Sequence, residues 1–269
     1  MHDKNMWSNQ VVMVTGVNGG IGGHAARQFK KLGAAVVGID VNFDDKKQFV
    51  ELELDLNRCD VSDWSMVKDV VGAVNQKYGR IDVLVNAAGL ATPHLARNLP
   101  MDMWRKIIEV DLNGIYYMTM AVYNYMSAQK YGRIINISSV AGKRMTFNGC
   151  PAYTAAKAGI IGLTRHLAYE FAPEGINVNT ICPGTVLTDL VRKNADAKII
   201  KQRERNYPIG RVLTVDDIFR AIVFLAEPSA SGICGISLDI DGGVQLGWED
   251  SEDYFARKER MSEINERKL

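Results

Sequence analysis

The chain has 269 residues, which leaves room for one or two domains at roughly 150 residues each. Apolar residues make up 47% and charged residues 23%, enough side chain for a sizeable core, so a wholly disordered chain is excluded. Lys and Arg number 32 against 31 Asp and Glu, a net charge of +1, without the basic excess that a nucleic-acid binder carries.

Short apolar runs alternate with helical periodicity along the chain. Residues 10–16 (QVVMVTG) read as a buried strand, and 20–32 as a helix closed by Gly33 at its C′ position. A second buried strand covers 34–40, and 49–56 alternates more weakly. A helix follows over 63–78 with Ser62 as the expected N-cap, then a strand over 81–86 and one long helix over 102–129. A strand at 132–139 leads to a helix at 152–171, stopped by Pro173 to Gly175, and a strand at 176–181. Two more helices are predicted near 188–205 and 215–226, with a last strand at 235–240. Strands that are apolar throughout and separated by helices predict a parallel sheet covered on both faces. Right-handed crossovers make it a doubly wound α/β fold in a single domain. That domain is expected to span 1–246. Residues 247–269, with five basic and seven acidic side chains, form a charged tail expected to be helical.

No apolar run reaches the roughly 18 residues of a membrane span. Residues 1–10 carry two charges and no apolar stretch, so a secretory signal is not expected there. Cys59, Cys150, Cys182 and Cys234 are widely spaced without a CxxC pair. They read as buried thiols of a reducing cytoplasm and not as a disulfide framework or zinc ligands. His2, His24, His94 and His166 make no HxxxH or HExxH pattern, so no metal site is expected. No GxSxG elbow supports a serine hydrolase.

The first strand runs into Thr15-Gly16-Val17-Asn18-Gly19-Gly20-Ile21-Gly22. Glycines permit a tight turn and a close backbone approach to a pyrophosphate, and the following helix offers free N–H groups and a positive dipole end. The second strand ends at Asp40, 18 residues after Gly22. A carboxylate there accepts from an adenosine ribose and repels a 2′-phosphate, and no Arg or Lys follows it or sits in the glycine loop; NAD is favoured over NADP. Further on, Tyr153 and Lys157 stand four apart on one helix face. A cation beside a phenol favours the phenolate, and such a phenol exchanges a proton with a substrate hydroxyl.

Taken together, TGVNGGIG (15–22), Asp40, CDVSD (59–63), NAAG (86–89), ISS (137–139), YTAAK (153–157) and PGTVLT (183–188) resemble, in order, the motifs of the short-chain dehydrogenase/reductase (SDR) family across about residues 10–245. The resemblance implies a Rossmann-like fold and an NAD-dependent oxidoreductase acting on a secondary alcohol or ketone. It implies Tyr153 as acid/base, Lys157 as its cationic neighbour and ribose ligand, and Ser139 as the holder of the substrate oxygen, with adjacent Ser138 a decoy. Gly16, Asn18, Gly20, Ile21, Gly22 and Asp40 are then cofactor residues, and Asp60 and Val61 the adenine contacts, Asp55-Leu56 being a weaker competitor. Asn86, Ala87, Ala88 and Gly89 line the cofactor and brace the sheet. Pro183, Gly184, Val186 and Thr188 form the loop around the nicotinamide. One position departs: register puts Asp111, not Asn113, where many members carry an Asn that completes a catalytic tetrad. Asp111 is expected to support the same relay and, if close enough, to hold the proton on Lys157.

The substrate is expected between 90–96, 143–150 and 185–207, with the tail 247–269 as a further candidate wall. Segment 188–208 carries six basic and three acidic side chains among Leu190, Ile199, Ile200 and Tyr207. It reads either as a solvated helical face or as an amphipathic lid over a bulky alcohol such as a hydroxysteroid, bile acid or cyclic diol. A carbonyl reductase of a small keto substrate is the main alternative, and a non-catalytic dinucleotide-binding regulator is another. The resemblance further implies a homotetramer.

Overall fold

The computed structural model describes residues 6–43, 54–146, 149–188, 201, 204–247, 256 and 258. Most of segment 188–208 and nearly all of the tail lie outside the described residues.

Seven parallel strands form one sheet in the order β3-β2-β1-β4-β5-β6-β9. They are β1 Val11–Thr15, β2 Ala35–Asp40, β3 Asp55–Arg58, β4 Val83–Asn86, β5 Gly132–Ile137, β6 Ile176–Pro183 and β9 Ser237–Ile240. A two-residue pair, β7 Val186–Leu187 with β8 Leu213–Thr214, stands apart. The helices are α1 Gly20–Lys31, α2 Trp64–Tyr78, α3 Met101–Ile108, α4 Gly114–Gln129, α5 Pro151–Phe171 and α6 Val215–Ala226.

The central strands are apolar throughout because both faces are covered. Val12 and Val14 of β1 join one apolar layer with Phe29 of α1 and Ile218 and Ile222 of α6. Val11 and Met13 join the opposite layer with Val67 and Val71 of α2, Met118 and Val122 of α4 and Phe171 of α5. Side chains two apart share a face, so each strand feeds both layers. The edge strand β3, reading DLNR, is only half buried. Its polarity follows from that edge position, and its placement later than the 49–56 segment shows how weak the signal was.

Two other expectations change. The N-cap of α2 is Asp63, whose carboxylate accepts from Ser65 N and Met66 N; Ser62 is occupied by Asp60, to which its hydroxyl donates at 2.6 Å. The predicted helix over 102–129 is interrupted by a π turn at Glu109–Asn113 between α3 and α4. A periodicity of 3.6 cannot register one inserted residue, and Asp111 lies within the turn.

The chain reverses its winding direction between β1 and β4, since β2 and β3 lie on one side of β1 and β4, β5 and β6 on the other. The crevice beyond the carboxyl ends of such strands is where doubly wound sheets bind ligands.

Candidate active site

The crevice is floored by two loops that nearly touch. Gly16 has φ +70°, and a Cβ there would stand 2.8 Å from the Ala88 backbone. Thr15 holds the opposing loop, its hydroxyl accepting from Ala87 N at 3.0 Å and Ala88 N at 3.1 Å. At Gly22 a Cβ would collide with the Gly16 carbonyl, and at Gly20 with the Thr188 side chain. These are close approaches that only glycine allows. Above them opens a groove of about 530 Å³ lined by Gly16, Asn18, Asp40, Asp60, Val61 and Ala88, among others. A cradle of bare backbone before a helix N-terminus fits a pyrophosphate, and the carboxylate beyond it fits a ribose.

Asp40 is braced: its Oδ2 accepts from Asn18 N at 2.9 Å, while the Asn18 side-chain amide donates to the Asn42 carbonyl. Sequence reasoning missed a cation at this corner. Arg58 pairs in register with Asp40 across β2 and β3, and its Nε donates to the Val41 carbonyl at 2.9 Å. It comes from the neighbouring strand, so reading along β2 could not find it; the parallel register could. Asp55, the competitor to Asp60, accepts instead from Lys77 and Tyr78 and does not line the groove. Asn86 points into the sheet, donating to Asn136 Oδ1 at 2.9 Å, and does not line the cavities.

A second cavity, of about 230 Å³, adjoins the groove through Ala87, Gly89 and Leu90. It is lined by Ile21, Ser139, Tyr153, Lys157, Pro183, Gly184 and Val186. Ser139 sits just past the end of β5, its hydroxyl accepting from Ala141 N at 3.1 Å. Ser138 lines the cavity as well, and its hydroxyl donates to the Lys157 carbonyl at 2.7 Å. Tyr153 and Lys157 share a face of α5, with Nζ 5.3 Å from the ring centroid. Thr188 contacts Gly20 and does not line this cavity.

Lys157 is 4% exposed and Asp111 0%. The ammonium lies 3.2 Å from Asp111 Oδ2 and donates to the Ile137 carbonyl at 3.2 Å. Asp111 Oδ1 accepts from Leu90 N at 2.7 Å. Burial works against the charged lysine, but the Asp111 carboxylate and the Tyr153 phenol outweigh it and hold its pKa above the ordinary lysine range. The Cys59 thiol in the groove and the Cys182 thiol on β6 are pushed up to about 11, chiefly by burial.

Tyr207 is a further residue that the motifs did not mark. It is 3% exposed, its hydroxyl accepts from Thr185 N at 2.6 Å, and its ring packs against Gly184 and Gly242. It therefore anchors the 183–188 loop to the 204–208 segment. No spacing in the sequence ties the two. Among the described residues, no three His, Cys, Asp or Glu gather as a metal site, and no helix is long and apolar enough to cross a membrane.

A parallel sheet with a glycine cradle at its switch point, joined to a cavity holding a serine, a tyrosine and a buried lysine, defines a nucleotide-binding oxidoreductase of Rossmann-like fold. The chain belongs to the SDR family: a family model described as enoyl-(acyl carrier protein) reductase matches residues 16–245. It is 38% identical over 243 residues to an uncharacterized oxidoreductase of Schizosaccharomyces pombe, covering 88% of this chain and 92% of that one. It is 35% identical over 237 residues to an acetoacetyl-CoA reductase of Shinella zoogloeoides, covering 87% and 98%. Among solved structures, the aldohexose dehydrogenase of Thermoplasma acidophilum is similar at TM-score 0.83 and 33% identity, over 91% of this chain and 97% of that one.

Proposed function

We propose that this protein interconverts a secondary alcohol and a ketone with NAD(H). The observation that carries the reading is the convergence of Ser139, Tyr153 and Lys157 on one cavity that adjoins the glycine-lined groove. Gly16, Asn18, Gly20, Ile21, Gly22, Asp40, Asp60 and Val61 would hold the adenosine and pyrophosphate. Pro183, Gly184, Val186 and Thr188 would hold the nicotinamide end. When bound, the cofactor supplies the hydride acceptor or donor. Ser139 positions the substrate oxygen by hydrogen bonding. Tyr153 takes the hydroxyl proton in oxidation and returns it in reduction. The Lys157 ammonium stabilises the phenolate side of that exchange.

Asp40 supports the reading of NAD over NADP, because a carboxylate at the end of β2 would repel a 2′-phosphate. For the substrate, a bulky or cyclic alcohol such as a hydroxysteroid, bile acid or diol is the first reading, on the amphipathic pattern of 188–208. A keto reductase of a small substrate is the second, favoured by the likeness to an acetoacetyl-CoA reductase. A cytoplasmic homotetramer acting on a small molecule completes the proposal, on the family resemblance. Absorbance assays with NAD⁺, NADP⁺ and their reduced forms against secondary alcohols, sterols, diols, sugars and 3-oxoacyl thioesters test it. Turnover of at least one alcohol or ketone class with NAD(H) is expected; binding of the cofactor without turnover of any would leave the non-catalytic reading standing.

A further inference from the structure

Among the described residues that line the groove above the glycine loop there is one cation, and it comes from an element that supplies none of the cofactor residues named so far. Lys106 lies on α3, four residues before Val110, and the two line the groove together with Gly16, Gly19, Asp40 and Asp60. Residues four apart share a helix face, so α3 turns Lys106 to the groove while adjacent Ile107 packs in a small core with Ala152 of α5. Lys106 is exposed, and its ammonium has no ion pair or hydrogen bond among the described residues.

The two carboxylates of the groove take other partners. Asp40 accepts from Asn18 N at 2.9 Å and from Asn42 N at 3.4 Å. Asp60 accepts from Ser62 N at 2.9 Å and from the Ser62 hydroxyl at 2.6 Å. Arg58, at the Asp40 corner, is held by the Val41 carbonyl at 2.9 Å and does not line the groove. Charge then decides what the lysine is for. A pyrophosphate brings two negative charges into a groove that already holds two carboxylates. A helix N-terminus answers with only about half an elementary charge. The Lys106 ammonium is the larger positive charge, and a lysine holds phosphate as a point charge on a flexible stem, without the fixed fork of an arginine. Adenine and ribose are neutral, so that charge acts chiefly on the diphosphate.

We propose that Lys106 is a cofactor-binding residue that takes the pyrophosphate of the dinucleotide from α3. The inference rests on the dinucleotide reading of the groove given above. It adds to the fixed backbone cradle a side-chain charge, so cofactor affinity acquires a salt-dependent part that the glycine loop alone does not give.

Calorimetry of ADP-ribose binding to the full chain tests this without any turnover. Lys106→Met removes the charge and keeps most of the length. Arg105→Met removes the same charge from the adjacent exposed residue, which does not line the groove. In low-salt buffer Lys106→Met is expected to raise the Kd for ADP-ribose by about fivefold, the scale of an exposed ion pair, and Arg105→Met to leave it near the parent value. The gap between Lys106→Met and the parent should close as salt approaches about 1 M, where the screening length falls to about 3 Å. Adenosine, measured by its competition with ADP-ribose, lacks the diphosphate and is expected to bind the parent and Lys106→Met equally. Equal losses in the two variants would reduce the effect to net charge and overturn the inference, as would a loss for adenosine that matches the loss for ADP-ribose. Unaltered ADP-ribose binding in Lys106→Met overturns the inference alone. A parent protein that binds no ADP-ribose overturns it together with the dinucleotide reading beneath it.

Discussion

Ser138 and Ser139 are chain neighbours that both line the cavity and differ in the partners their hydroxyls take. The Ser138 hydroxyl donates to the Lys157 carbonyl, whereas the Ser139 hydroxyl accepts from Ala141 N beside Tyr153 in the same cavity. Removing the phenolic oxygen leaves the pocket walls in place, so Tyr153→Phe is expected to lower kcat by at least about a hundredfold while NAD affinity by fluorescence titration is retained. Turnover near the parent level would remove Tyr153 as the acid/base. At the other end of the crevice, Asp40→Ser takes away a repulsive carboxylate but leaves the Arg58 guanidinium from β3 beside the same corner. The ratio of kcat/KM for NADP to that for NAD is expected to rise by at least about tenfold. An unchanged ratio would mean that cofactor choice is set elsewhere.

At the scale of elements, helix ends show what a sequence pattern can and cannot carry. Thr214 and Asp217 cap α6 reciprocally: the Thr214 hydroxyl accepts from Asp217 N, and Asp217 accepts from Thr214 N at 2.8 Å. Arg211 adds a two-pronged ion pair to the same carboxylate, at 2.7 and 2.9 Å. The Arg211 hydrogen bonds, aided by Thr214 against partial burial, hold the Asp217 pKa well below the ordinary carboxylate range. A depressed folded pKa means stability that is present above the unfolded carboxylate pKa and lost as pH falls. Asp217→Ala is therefore expected to cost about 1 kcal/mol at neutral pH. The gap in Tm from the parent should narrow as the buffer is acidified through the carboxylate range, and a gap independent of pH would contradict the assignment. The helix itself was legible from its apolar spacing. The π turn at Glu109–Asn113 was not, because side-chain pattern reports phase and one inserted residue is lost in the noise of two flanking helices. The exchange of Ser62 for Asp63 as the α2 cap has a similar cause: both residue types cap well, and only the partner taken by Ser62 decides between them.

For the whole molecule, the strands buried on both faces announced the parallel sheet, and the motif order placed the cavity residues. Register between strands and hydrogen bonds over long separations were beyond reach, and Asp82 shows it. It falls inside the strand predicted over 81–86. It is 0% exposed, accepts from Val11 N at 2.8 Å and binds Arg80 Nε at 2.8 Å, while its own backbone joins β1 and β5. This clamp closes the amino ends of three strands, opposite the crevice. Asp82→Ala strands a buried N–H and an arginine, and is expected to lower the free energy of unfolding by roughly 3 kcal/mol in urea. Turnover of the folded fraction should be spared, because the crevice lies at the other end of the sheet. A large loss of kcat with unaltered unfolding would show that the two ends are coupled in a way this geometry does not contain.

The π turn also governs how this segment tolerates change. Each residue of a helix advances the chain by about 100°, so α4 is phased to the sheet only because one extra residue precedes it. Substitutions within 109–113 alter a side chain and leave that phase alone. Deleting any single residue there lets α3 and α4 merge into one regular helix. It would swing Met118, Val122 and Met126 away from the apolar layer they now fill, and the Asp111 carboxylate away from the lysine. Losing one residue at that point would cost both the core packing and the Asp111–Lys157 pair, and insertions or deletions in this stretch are expected to be far rarer than replacements.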